Sequence, residues 1–307
     1  MALMKRVFLF LTVNIAVVLT ISILVNLLGI QPYISARGID YGALLAMCAL
    51  WGFAGSFISL QLSRWMAKRA MGVELIDPER PGGAEERFLV ERVRSLCQRA
   101  GIEVLPEIGV YQSPEVNAFA TGPSKNRALV AVSTGLLQRM DHQAVEGVLG
   151  HEISHVANGD MVTMTLVQGV VNTFVMFFAR VLAFAIDNAL SSRDSDRRGE
   201  GLGRFGHFMM VMLLETVLML LASPIIYWVS RKREFRADAG SAKLTSRQTM
   251  IHALESLAGA RVGATQAAPA VATMMIHGEP RGLWAKLYSS HPPLEARVAA
   301  LRDGVIE

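Results

Sequence analysis

Cysteine is nearly absent: there are two in 307 residues, Cys48 inside an apolar run and Cys97 in a stretch of helical periodicity. Neither has a partner at ligand spacing, which excludes a disulfide scaffold and a thiolate metal site and is compatible with a reducing compartment. Charge is scarce as well. Asp, Glu, Lys and Arg make up 18% of the chain against a hydrophobic fraction of 52%, and mean hydropathy is +0.36, too apolar for a water-soluble domain of this length. The chain reads as a membrane protein, with the lipid bilayer as a partner. A net charge of +4 and a pI near 9.3 do not indicate nucleic acid, because the basic residues gather beside hydrophobic segments, where they act as topology signals.

Lys5 and Arg6 precede Val7 to Leu28, an uncharged stretch long enough to cross a bilayer. No small-residue cleavage site follows, so an uncleaved anchor with its N-terminus inside is expected. Tyr41 to Leu62 forms a second span, and Arg64, Lys68 and Arg69 mark its inner end. Two further apolar segments, Met161 to Ile186 and Phe205 to Val229, come after a polar middle region. Arg193, Arg197, Arg198 and Arg204 would lie outside between them, so a shallow hairpin is the alternative to two full crossings. In both cases the number of crossings is even. The chain before Met161 and the chain after Val229 therefore lie on one side.

Arg180 and Glu215 are charges inside those segments. Each unpaired charge costs about 2.5 to 3.5 kcal/mol on insertion scales. If the segments run antiparallel with Thr163 and Ser230 both near the inner surface, Arg180 is level with about position 213, within a turn of Glu215. An ion pair that locks the hairpin is expected; snorkelling of Arg180, with Glu215 protonated or lining a wet groove, is the competing reading.

Between the hairpins, Ala84 to Ala100 repeats apolar residues at surface-helix spacing. Glu107 to Tyr111, Val116 to Thr121 and Ala128 to Ser133 read as the strands of a small sheet. Asp141 is placed to cap a helix running to Asn158. That helix carries His151-Glu152-Ile153-Ser154-His155. Histidines four apart share one face and can bind one Zn²⁺, leaving Glu152 beside the water that such a metal activates. A third ligand is sought after the last span, where Glu234 and Asp238 share a helical face. One can bind metal while the other receives the N–H of a ligand histidine; a solvated acidic face paired with nearby arginines is the competing reading. His142, His207, His252 and His277 stand alone and are expected to be structural or surface residues. Arg247 to Leu257 reads as a further helix, Gly259 to Ala272 as a mobile linker and Pro293 to Leu301 as a closing helix.

The order of these motifs resembles the gluzincin metalloproteases, and within them the HtpX-type membrane-bound zinc metalloproteases related to the CAAX prenyl proteases. The likeness covers nearly the whole chain, including Asn117-Ala118-Phe119-Ala120 and Ser290-His291-Pro292-Pro293. It implies His151, His155 and Glu234 as ligands of one Zn²⁺, Glu152 as general base and acid, and Asp238 as partner of a ligand histidine. It also implies that Asn117, Ala118, Phe119 and Ala120 form the edge strand on which an extended substrate lies. His291 is implied as the donor that stabilises the tetrahedral oxyanion, with a cap before Pro292 as the competing role. Arg297 lies in the similar stretch without an assigned role.

The expected fold class is α+β, predominantly helical, a zincin-like metalloprotease domain with about four transmembrane helices. Residues 1–66 and 161–230 are expected to be transmembrane hairpins, and 67–160 and 231–307 the two cytoplasmic parts of the protease domain. The expected function is zinc endopeptidase action on damaged or misfolded membrane proteins, with the active site facing the cytoplasm at a bacterial inner membrane. A scaffold or transporter with a structural metal is the rival reading and requires a closed four-ligand site.

Overall fold

The computed structural model describes residues 34–35, 38–191, 202–267, 289 and 291–304. The expected first span, Val7 to Leu28, and His277 lie outside the described residues. After a two-residue ribbon pairing Ile34–Ser35 with Gly38–Ile39, the elements run α1 (Tyr41–Met71), β1 (Glu74–Leu75), α2 (Ala84–Arg99), β2 (Glu107–Tyr111), β3 (Ala118–Ser124) and β4 (Arg127–Ser133). They continue through α3 (Thr134–Arg139), α4 (His142–Asn158), α5 (Asp160–Ser191), α6 (Gly203–Leu244), α7 (Arg247–Ala267) and α8 (Leu294–Asp303). The fold is mostly helical with a small sheet. Among the described residues three helices are long and apolar enough to cross a membrane, within Tyr41–Met71, Asp160–Leu190 and Gly203–Leu244.

The chain divides into two compact units, Met1–Ser59 with Thr165–Ile226, and Leu60–Met164 with Tyr227–Glu307. In the first, Arg180 Nη1 donates to Glu215 Oε1 at 2.6 Å and to the Met176 carbonyl at 3.0 Å. The ion pair expected from the depth argument is present, and the snorkelling alternative is set aside. Small residues bring α1 against α5 in this unit. A Cβ on Gly52 would lie 2.6 Å from Thr173 Oγ1, so only glycine permits the approach.

In the second unit the sheet order is β1-β2-β4-β3, with β2 and β4 parallel and the other neighbours antiparallel. β4 is one of two inner strands, and six of its seven residues are buried, as its near-continuous apolar run requires. Leu89, Val93 and Leu96 of α2 join Val130, Val132, Leu149 and Ile153 in one apolar core under the sheet. α4 packs against α2, α7 and β3, so the helix bearing the histidines lies along the edge strand.

Three boundaries differ from the sequence reading. β3 starts at Ala118 instead of Val116, because Asn117 uses its backbone in a corner: its N–H donates to Ser133 Oγ and its carbonyl accepts from Ser133 N. The last apolar segment and the segment carrying Glu234 form one helix, α6, because nothing between Val229 and Glu234 breaks a helix and Arg231-Lys232-Arg233 are good helix formers. Finally, α7 continues to Ala267 through most of the expected linker, since its many alanines favour helix.

Candidate metal centre

Asp141 starts α4 by accepting from the Ala144 N–H at 2.8 Å. Gly159 ends it in a left-handed conformation, φ 68°, returning its N–H to His155 and Val156 carbonyls. Three small contacts draw the helix ends carrying the histidines and Glu234 together. A Cβ on Gly240 would lie 2.5 Å from Ser154 Oγ, one on Gly150 2.6 Å from Ser241 Oγ, and one on Gly147 2.7 Å from the Ala253 Cβ. Ser241 Oγ also donates to the Gly147 carbonyl at 2.8 Å. Bulkier residues along this seam would hold α6 and α7 away from α4.

His151, His155 and Glu234 each place a ligand atom within 4.8 Å of the others. The two Nε2 atoms are 3.1 Å apart; Glu234 Oε1 is 3.4 Å from His155 Nε2 and Oε2 is 3.6 Å from His151 Nε2. Donors about 2.0 to 2.1 Å from one tetrahedral ion are about 3.3 Å from each other, so these three edges fit one face of such a site. The tautomers agree. His151 Nδ1 lies 2.9 Å from Asp238 Oδ1 and His155 Nδ1 lies 2.6 Å from Asp160 Oδ2. An ionised carboxylate only accepts, so both Nδ1 atoms donate and both Nε2 lone pairs face the cluster. Two lone pairs directed at each other at this distance repel unless a cation or proton lies between them. The donor set therefore fits a metal ion.

Burial pulls the pKa of both histidines down, but carboxylate hydrogen bonds outweigh it. Asp238 and Glu234 raise that of His151, and Asp160 and Glu234 raise that of His155 to about 9. Glu152 is half-buried on the same turn of α4, and its charge adds to the rise at His155. His291 Nδ1 donates to Glu234 Oε2 at 2.8 Å while its side chain stays 65% exposed. Of the expected strand, Ala118, Phe119 and Ala120 lie in β3 at the sheet edge, paired on one side with Val132, Ala131 and Val130. Asn117 immediately precedes it. The solitary histidines are otherwise engaged: His142 stacks on Phe88, and His252 Nε2 contacts Asp141 Oδ2 at 2.7 Å.

Residues 84–305 match the profile of Peptidase family M48. The chain belongs to that family. Protease HtpX of Shewanella frigidimarina is 50% identical over 301 residues, which span 98% of this chain and 100% of that protein. Protease HtpX homolog of Bacillus licheniformis is 48% identical over 303 residues, 97% of this chain and 98% of that one. The crystal structure of S. mikatae Ste24p superposes with a TM-score of 0.60 at 20% identity, over 84% of this chain and 58% of that chain, which shows a shared fold.

Two residues of this M48 chain join the cluster without having been assigned to it from sequence. Arg297 forms a fork on Asp238, Nε to Oδ2 at 2.7 Å and Nη2 to Oδ1 at 2.6 Å, with Nη1 3.6 Å from Glu234 Oε2. Its side chain is 8% exposed and that of Asp238 0%, so the pair is buried. Asp160 is the other, and the only local sign of it is an acidic residue opening a helix after a glycine cap.

Proposed function

We propose that this M48 chain is an integral membrane zinc endopeptidase that hydrolyses peptide bonds of damaged or misfolded membrane proteins, as part of membrane quality control under stress. The observation that carries the reading is the convergence of two Nε2 lone pairs and one carboxylate beside a further carboxylate, Glu152, that belongs to the same helical turn as His151. A metal with N and O ligands and tetrahedral preference is Zn²⁺, one per chain. When bound, it supplies Lewis acidity that lowers the pKa of water and polarises a peptide carbonyl.

The chain's own residues do the rest. Glu152 accepts the proton of the attacking water and returns it to the leaving amine. Asp238 holds the His151 ring, and Arg297 holds Asp238. His291, tethered through Nδ1 to Glu234, is the donor for the developing oxyanion. The strand with Asn117, Ala118, Phe119 and Ala120 receives an extended peptide as an added strand, with backbone hydrogen bonds giving affinity and little side-chain choice. A structural site closes with four protein ligands, whereas three donor residues converge here among the described residues, which favours an enzyme over a scaffold.

Residues 1–66 and 161–230 are assigned to the bilayer and 67–160 with 231–307 to the protease, facing the cytoplasm of a bacterial inner membrane. Glu234 follows the apolar part of α6 by only about 8 Å of helix, which supports a reading with the chemistry near the lipid surface, where membrane proteins are reached. Glu152→Gln tests the assignment: stoichiometric zinc is expected to remain while hydrolysis of a detergent-solubilised protein substrate falls by at least about a hundredfold. Retained turnover, or loss of zinc in that variant, overturns it.

A further inference from the structure

Asp160 is fully buried, at 0% exposure, in the first turn of α5. The left-handed turn at Gly159 folds it back on α4, where Oδ2 accepts from His155 Nδ1 at 2.6 Å. Its other oxygen, Oδ1, is buried with no hydrogen-bond partner among the described residues, and so is Nε of Arg233. The two residues meet through the backbone: Arg233 Nη1 donates to the Asp160 main-chain carbonyl at 3.2 Å. The His155 N–H and the positive end of α5 are both at hand for this carboxylate.

A ring nitrogen that donates to a fixed carboxylate holds its imidazole in one tautomer and one rotation, and the opposite nitrogen is then aimed. We propose that Asp160 is a positioning residue that aims His155 Nε2 at the metal, and that Arg233 holds Asp160 in place from the far side of the 161–230 segment. The inference rests on the metal-site reading above. Asp160 and Arg233 stand immediately before that segment and shortly after it, so one part-buried contact joins its two flanks beside the ligand they serve. Asp238 with Arg297 does the same for His151. Each ligand histidine thus has its own carboxylate; the Asp238 carboxylate is forked by Arg297, while Arg233 reaches Asp160 through its main-chain carbonyl.

A helix-capping role alone would also explain an aspartate at the start of α5, and the two roles separate by side-chain length. Serine caps a helix as well as aspartate does but is too short to reach His155. The test uses the full-length protein in detergent, with Zn²⁺ affinity measured by competition with a chromogenic chelator and metal-free unfolding followed by circular dichroism. For Asp160→Ser, zinc affinity is expected to fall about 10- to 100-fold, and for Asp160→Asn, which keeps the shape but not the charge, about tenfold, with the metal-free transition little changed. Wild-type affinity in both variants overturns the proposal. In the Asp160→Ser background Arg233→Gln is expected to add no further loss, and a fully additive loss overturns the role of Arg233. His155→Ala separates the two levels of inference. If it loses zinc while both Asp160 variants retain it, the metal site stands and the positioning falls; if it binds zinc as tightly as wild type, the metal-site reading itself fails.

Discussion

At the scale of single residues, the histidines titrate against the metal. His155 is partly buried, which disfavours its charge, yet Asp160 and Glu234 raise its pKa to about 9. In the metal-free protein that proton contributes stability fully present below the unfolded value of about 6.5 and lost as pH rises through about 9. On the proposed reading, zinc has to displace the same proton. Its apparent affinity is therefore expected to weaken as pH falls below about 9, with proton release detected by calorimetry in buffers of different ionisation enthalpy. An affinity independent of pH between about 6 and 9 would contradict the raised pKa of His155. Arg297 gives a second residue-scale expectation. Removing its guanidinium leaves the Asp238 carboxylate buried and uncompensated, so Arg297→Gln should cost about 3 to 5 kcal/mol in denaturant unfolding. Arg297→Lys should recover only part, because a lysine cannot form the fork on Oδ1 and Oδ2.

At the scale of elements, the seam of small residues between α4, α6 and α7 sets how closely the ligand-bearing helices approach. A side chain at Gly240 would collide with Ser154, whose Oγ is tied to the Gly150 carbonyl at 2.7 Å and cannot turn away without losing that bond. Gly240→Val is expected to destabilise the protein by about 1 to 3 kcal/mol and to weaken zinc binding, since the shift separates Glu234 from the histidines. Gly259 is the contrasting case within α7, with nothing within 4 Å of a built Cβ. Gly259→Ala should leave zinc binding unchanged and raise stability by up to about 1 kcal/mol. Equal effects of the two substitutions on zinc affinity would show that helix approach does not govern the site.

At the scale of the whole molecule, the Arg180 to Glu215 pair joins α5 to α6 inside the first unit. Alanine at either position should lower the thermal midpoint in detergent, and the exchange Arg180→Glu with Glu215→Arg should restore part of it; strictly additive losses would mean the pair is not a coupling. Sidedness belongs to this scale too. Reporter fusions after Arg69 and after Asp238 are both expected on the cytoplasmic side, because one metal cannot take ligands from opposite faces of a membrane. The sequence alone determined the three long apolar helices found among the described residues, the extent of α4 with Asp141 and the His151-Glu152-x-x-His155 spacing, and even the depth match of Arg180 with Glu215. Each of these depends on periodicity or rise along one helix, which adjacent residues encode. Only the tertiary structure decided that α6 runs unbroken from the apolar segment to Glu234, that Arg297 clamps Asp238, and that Asp160 holds His155. The partners Arg297 and Asp238 are 59 positions apart, and Arg233 and Asp160 are 73 apart. No local pattern specifies which distant charge a buried carboxylate meets; that follows from how closely glycine and serine let the helices pack.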